Sequence, residues 1–168
     1  MRSERGYTLF EVLIVVALIG ILTAISVPVF LESNARNNLW RGAEQLGSTI
    51  RSGRLKAISS NTNYRIVFNC PAANQVRVLV LTGDLDTDNP EELPARCGQT
   101  FEGDSGTIEL PTGIAYDPGD ATALEVNGRG TFTALAGALP LVITVTHGGA
   151  ARTLTVSLTG QVTFTDVE

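Results

Sequence analysis

At 168 residues, with 43% hydrophobic residues and a formal net charge of −5, the chain has room for one domain with a buried core and an additional element. The net acidity excludes broad, sequence-independent binding to nucleic acid, which runs on lysine and arginine. With a single histidine, no Gly-rich phosphate loop and no nucleophile elbow, the sequence offers no catalytic constellation and is read as a non-enzyme.

The chain opens Met1-Arg-Ser-Glu-Arg-Gly6, followed by Tyr7-Thr8-Leu9-Phe10-Glu11 and then an apolar run from Val12 to Leu31. Twenty helical residues span about 30 Å, the thickness of a bilayer's hydrocarbon core. No charge interrupts the run, so it predicts a membrane helix. The preceding segment is too short for a secretory signal, and no small-residue cleavage site follows the apolar run. Arg2 and Arg5 mark the near side as cytoplasmic, which puts the C-terminal part across the membrane. Glu11 stands at the edge of the span, where a carboxylate costs up to about 3 kcal/mol and calls for a partner. A second reading stays open, in which Glu11 reaches the lipid headgroups.

The stretch Gly6 to Glu11, with Val-Leu-Ile-Val-Val-Ala-Leu-Ile-Gly-Ile-Leu after it, resembles the class III leader of type IV pilins and pseudopilins. The likeness runs through Gly20 and Pro28 to about residue 36. It implies that a prepilin peptidase cuts after Gly6 and methylates the new N-terminus at Tyr7, where phenylalanine is commoner. It implies that Glu11 pairs with the N-terminal amine of an adjacent subunit during assembly, a sensible use of a charge that must lose water. It further implies that helicity between Gly20 and Pro28 yields in a filament. Pro28 lacks an N–H and crowds the preceding turn, so the residues alone also predict a kink there.

Beyond Glu32 the helical period persists while polarity rises. Leu39, Ala43, Leu46, Ile50, Gly53 and Ala57 form one stripe, predicted to pack on a sheet, with a partner helix as the alternative. Trp40 adjoins the stripe as a packing residue. From Asn34 to Ser60 the charges are Arg36, Arg41, Arg51, Arg54 and Lys56 against Glu44. Turn-forming Ser59-Ser60-Asn61 predicts the helix end.

From Tyr64 the period changes to two. Strands are predicted over Tyr64–Asn69, Gln75–Leu81, Gly106–Leu110, Ala123–Val126, Gly130–Thr133, Leu141–His147, Arg152–Leu158 and Val162–Thr165, with turns at His147–Ala150 and Thr159-Gly160. Cys70 and Cys97, an even pair in an exported domain, predict a disulfide worth about 3–4 kcal/mol; two buried free thiols are the alternative. Between Gly83 and Val126 stand eleven acidic side chains against Arg96. The stretch is read as an acidic surface region, and together with the basic helix it forms a dipole suited to packing between copies or simply to solvation. Within it, Asp84, Asp86 and Asp88 alternate as oxygen ligands for Ca²⁺ would. However, Asn89 occupies the place of the EF-hand glycine and Ala95 that of its bidentate glutamate, so a solvated loop without cofactor is the main reading.

Ser52-Gly53-Arg54-Leu55-Lys56-Ala57-Ile58-Ser59 and the closing Leu158-Thr159-Gly160-Gln161-Val162 resemble the GspH/FimT family of minor pilins and H-type pseudopilins. Lys56 stands where that family usually has glutamate. The reading is therefore an α+β pilin fold, with a long N-terminal helix, transmembrane then amphipathic, packed on an antiparallel β-sheet or sandwich head. Its parts are a leader (1–6), a transmembrane and assembly helix (7–31), an amphipathic helix (32–60) and a periplasmic head (61–168). The implied partners are prepilin peptidase, other pilin or pseudopilin subunits, an inner-membrane assembly platform, and membrane lipid before assembly. The implied role is a structural or initiating subunit of a pilus or type II secretion pseudopilus. Alternatives are a DNA-binding competence pilin or adhesin tip, and a major pilin. DNA is disfavoured because the family's Gly-Arg-x-Arg stretch reads Gly160-Gln161-Val162-Thr163 here, without its cations.

Overall fold

The computed structural model describes residues 8–81 and 96–167. The chain divides into two compact units, one ending at Arg36 and the other covering Asn37–Glu168. A single helix, α1 (Leu9–Ser60), contributes to both.

In the first unit α1 is apolar on every side. An 18-residue window reaches a mean hydropathy of 2.8 with none of it buried, so the helix is long and apolar enough to cross a membrane. Helix runs unbroken through Gly20 and Pro28. Thr23 Oγ1 donates to Ile19 O at 2.7 Å, one way a hydroxyl is satisfied in an apolar setting. The unit ends on an exposed i, i+4 pair, Arg36 to Glu32 at 2.9 Å.

In the second unit α1 becomes amphipathic, and all six stripe residues from Leu39 to Ala57 are buried. They face two antiparallel sheets. The first has five strands in the order β3-β2-β1-β5-β6, the second four in the order β4-β7-β8-β9. The strands are β1 (Asn63–Phe68), β2 (Gln75–Leu81), β3 (Ile108–Glu109), β4 (Ala115–Asp117), β5 (Ala123–Val126), β6 (Phe132–Leu135), β7 (Leu141–His147), β8 (Ala150–Val156) and β9 (Val162–Val167). One apolar cluster joins the helix to both sheets, with Leu46 and Ile50 meeting Ile66, Val78, Leu124, Ile143 and Leu154. Gly47 and Gly53 let the sheets come close. A Cβ at Gly47 would lie 2.7 Å from Phe164 Cζ, and one at Gly53 2.9 Å from Ile66 Cδ1.

The predicted strands all lie in or overlap these sheets, with the following corrections. The strand expected at Gly106–Leu110 shrinks to Ile108–Glu109, because Ser105 and Asp104 bond to β2 through side chains instead. The strand expected at Gly130–Thr133 is Phe132–Leu135, since Asn127 Oδ1 accepts from the N–H groups of Arg129 and Thr131 and holds a turn there. β4 escaped prediction, being three residues between Gly113 and Pro118. The hairpin turn lies at His147–Ala150 as expected, but because His147 and Ala150 themselves pair across it the strand expected at Arg152–Leu158 is Ala150–Val156.

Candidate assembly site

Thr8 precedes the helix, and Glu11 occupies its third position. Thr8 Oγ1 accepts the Glu11 N–H at 3.2 Å. The spacing Thr8-x-x-Glu11 is that of a capping box, in which the N-cap hydroxyl satisfies an orphan donor of the first turn. A carboxylate in that turn also faces the positive end of the helix dipole. The Thr8-x-x-Glu11 spacing carries this capping signal in the sequence itself, beside the membrane charge expected of Glu11. Among the described residues the Glu11 carboxylate has no hydrogen-bond or ion-pair partner, and the residue is exposed. The helix therefore begins on a capped, charged turn whose side-chain oxygens are available. Gly6 and Tyr7 lie outside the described residues, as do Asp84, Asp86 and Asp88.

Charge is handled differently in the head. Cys70 and Cys97 form a disulfide with their Cα atoms 5.4 Å apart. It anchors residues 96–105 over the outer face of the five-stranded sheet, where Val67, Leu79 and Ala123 form a second small core with Cys70. Strand alternation explains why that face needs a cover. Val76, Val78 and Val80 of β2 point to the main core, which leaves Arg77 and Leu79 pointing outward. Arg77 Nη1 donates to Cys97 O at 2.6 Å and Gln99 O at 2.9 Å.

Asp104 is the centre of this cover. Its side chain is 0% exposed and that of its partner Arg96 is 1% exposed. Arg96 Nη1 and Nη2 each donate to one carboxylate oxygen at 2.8 Å. The N–H groups of Val80 and Phe101 add bonds of 2.8 and 2.9 Å. Burial alone would raise the Asp104 pKa, but the bonds from Arg96, Phe101 and Val80 outweigh it and hold the carboxyl below its ordinary 3.8. Ser105 continues the pattern, its N–H donating to Val78 O at 2.8 Å and its Oγ accepting the Val78 N–H at 2.8 Å. Asp104 and Ser105 thus occupy ladder positions that a neighbouring strand would fill, and they close the edge of β2 beyond β3.

This corrects the reading of Gly83–Val126 as an acidic surface at two positions, Asp104 and Glu125. Asp104 is buried, and Glu125 accepts Nε and Nη2 of Arg65 at 2.8 and 2.6 Å across the β1–β5 register. Glu102, Glu109, Asp117 and Asp120 remain exposed. Trp40, expected beside the stripe as a packing residue, is 52% exposed and packs against an arginine. The Arg152 guanidinium lies 3.4 Å from its ring centroid and 5.2 Å from that of Phe164. Arg152 Nε approaches Asp166 Oδ1 to 3.1 Å without hydrogen-bond alignment.

Comparison with known proteins decides the family. The prokaryotic N-terminal methylation motif matches residues 1–27, and the model of the type II transport protein GspH matches residues 42–160. The chain belongs to the GspH family. It is 40% identical over 131 residues to a fimbrial protein of Pseudomonas aeruginosa, covering 72% of this chain and 75% of that one. It is 33% identical over 98 residues to the type IV major pilin protein PilA of Myxococcus xanthus, covering 54% and 44%. The fold resembles that of the type IV minor pilin FimU of Pseudomonas aeruginosa, with a TM-score of 0.55 at 15% identity over 77% of this chain and 90% of FimU. The chain is a pilin-like structural subunit, a minor type IV pilin or pseudopilin, and the major-pilin alternative is not favoured. Within the GspH fold, Gly160 sits in the β8–β9 turn with φ of +77°, where a Cβ would meet Phe132 Cε2 at 2.7 Å and Arg54 Cδ at 2.6 Å. That turn therefore requires glycine.

Proposed function

We propose that this GspH-family chain is inserted in the inner membrane with its head in the periplasm. Prepilin peptidase cuts it after Gly6 and methylates it at Tyr7. An inner-membrane assembly platform then draws it into a pilus or pseudopilus as a minor, initiating or structural subunit. The observation that carries this is Glu11, an exposed carboxylate on the first turn of α1, standing alone as a charge in the apolar stretch from Leu9 to Leu31 and five positions after Gly6. Moving such a helix from lipid into a filament places the carboxylate among other helices, where only an opposite charge offsets its desolvation. The methylated amine created by cleavage at Gly6 supplies that charge on each neighbouring subunit. Gly20 and Pro28 provide the stretch where the helix yields, because Pro28 cannot donate to the carbonyl of Ala24.

The test is expression of the full chain with its secretion or pilus machinery, comparing wild type, Gly6→Ala and Glu11→Ala. Gly6→Ala is expected to leave an uncut precursor in the membrane. Glu11→Ala is expected to be inserted and cut normally yet fall about tenfold in the sheared filament fraction. Normal processing of Gly6→Ala, or normal filament incorporation of Glu11→Ala, overturns the assignment.

A further inference from the structure

The two sheets have four edges between them, and three are blunted. β3 is two residues long, and beyond it Asp104 and Ser105 occupy the edge of β2. β4 is three residues long and runs into Pro118. β6 is four residues long and is followed by Ala136, whose φ is +56°. β9 differs from all of these. It has six residues without proline or glycine, and among the described residues it pairs with β8 alone. A long open edge is a template for a further strand.

The hairpin fixes which backbone groups are open. The Ser157 N–H donates to Gln161 O at 3.0 Å, and antiparallel bonding alternates along a strand. Thr163 and Thr165 therefore bond to β8, opposite Thr155 and Thr153. Val162, Phe164 and Asp166 turn their N–H and C=O groups to the open side. Their side chains lie on the inner face of the sheet, with those of Val156, Leu154 and Arg152 across the register. Directly opposed residues share a face, so the residue of an added strand opposite Val162 also points inward. There it meets a groove of about 410 Å³ between α1 and the β8–β9 turn, lined by Arg51, Arg54, Leu55, Gly160, Gln161 and Val162. Both arginines are engaged, Arg51 with Glu44 at 2.8 Å and Arg54 Nε with Gly130 O at 3.0 Å. What the groove offers is Leu55, 65% exposed, the Val162 side chain and the arginine stems, a lining for an apolar side chain. At the far end of β9 the Asp166 side chain is 71% exposed beside Arg152, and it favours a cation opposite.

We propose that β9 receives an extended segment of a different subunit as an added antiparallel strand, with a lysine or arginine opposite Asp166 and an apolar residue opposite Val162. The backbone of such a strand supplies the hydrogen bonds, and its alternate side chains supply the selection. A second copy's β9 does not fit this description, because Val162–Val167 contains no basic residue. The proposal rests on the assembly reading above, in which the neighbours of a minor subunit are other proteins of the filament, and adds which edge of the head they use.

The experiment reads backbone hydrogen exchange residue by residue along β9 in the full chain, expressed with and without its pilus or secretion machinery. Without the machinery, the amides of Val162, Phe164 and Asp166 should exchange fast and those of Thr163 and Thr165 slowly. In chains recovered from the sheared filament fraction, the first three should slow about tenfold while Thr163 and Thr165 change little. Benzoylphenylalanine at Thr163, an exposed position, should photo-cross-link there to an extended segment of another subunit. Leu55→Asp places a charge in the groove at an exposed site and should cut that cross-link about tenfold with unchanged thermal unfolding, whereas Leu55→Met should retain it. Val162→Pro removes an outward donor and spares the bonds to β8, as proline at the start of an edge strand allows, and should act as Leu55→Asp does. Unchanged exchange at Val162, Phe164 and Asp166 in filaments overturns the added strand. So does equal slowing along the whole of β9, or a cross-link to a second copy of this chain. Wild-type chain present in filaments with that exchange unchanged leaves the assembly reading standing. Wild-type chain absent from filaments removes the assembly reading, and the contact with it.

Discussion

Glu11 and Asp104 are both carboxylates in apolar company, and the two units treat them in opposite ways. Asp104 is fully enclosed, with both oxygens bonded to Arg96 and further bonds from Val80 and Phe101. Glu11 has its N–H capped by Thr8 while its carboxylate has no partner among the described residues. The head satisfies its buried charge within one chain, so that charge serves its own stability and specificity. The apolar half of α1 leaves its charge without a partner among the described residues, which is what the proposed pairing with a neighbouring subunit would supply. The same physics, a costly desolvation that must be offset, produces a structural clamp in one place and underlies the assembly role proposed for Glu11 in the other.

The sharpest way to break this comparison is to remove the clamp. Asp104→Ala leaves Arg96 buried without its counter-charge and strips acceptors from Val80 and Phe101. It should destabilise the head by about 3–5 kcal/mol, read by denaturant unfolding of the purified full chain. Processing at Gly6 should be unchanged. The same clamp sets a pH dependence. The folded-state pKa of Asp104 lies below its ordinary 3.8, so its contribution is complete above that value. It is then lost as pH falls below 3.8 through the folded pKa. Asp104→Asn should flatten the acid limb of the stability profile in that range; an unchanged limb would show that another group governs it.

Next in size is the disulfide that anchors the cover. Cys70→Ser with Cys97→Ser should cost about 3–4 kcal/mol by loop entropy. It should also raise hydrogen exchange at Val78 and Val80, whose N–H groups the cover engages. Loss of stability without faster exchange there would mean that Asp104 and Ser105 hold the edge unaided.

Gly160→Ala follows, forcing a side chain into a left-handed turn against the buried Phe132 ring, for a loss of about 2 kcal/mol. Unchanged melting would mean that the Arg54 side chain moves aside.

The difference between the units also explains what was legible in the sequence. Lipid-facing helix is a one-dimensional property, so the span from Val12 to Leu31 and the stripe from Leu39 to Ala57 could be read from periodicity, and the Gly6–Glu11 spacing pointed to the family. Long strands such as Gln75–Leu81 and Leu141–His147 were legible to the residue because alternation and turn residues agreed. β4 and the cover were not. Whether Asp104 faces water or Arg96 depends on how residues 96–105 lie over β2, a tertiary fact that local acidity misrepresents. Arg65, Arg77 and Arg152 sit in strands whose other residues are mostly apolar, and that pattern is the hint in the sequence that these charges are covered. The cap at Thr8 is legible in the Thr8-x-x-Glu11 spacing, where a single carboxylate serves both as the third residue of the capping box and as the charge of the apolar stretch.

The smallest expected change in stability belongs to Glu11→Gln, and it bears most directly on the comparison. Glutamine at the third helical position preserves the capping-box geometry and forfeits the interaction of a full negative charge with the helix dipole, a loss of about 0.3–1 kcal/mol at most. Glu11→Ala removes both. If Glu11 acts chiefly as a cap, the Gln variant should enter filaments as wild type does and only the Ala variant should fail. If it acts as the counter-charge for a neighbour's amine, Gln should fail as Ala does, although its helix and membrane insertion are intact. The second outcome is expected, since a neutral amide leaves a buried cation unpaired at a far higher cost than any cap supplies. Filament incorporation of the two variants, measured beside the helicity of the membrane-inserted chain, separates them.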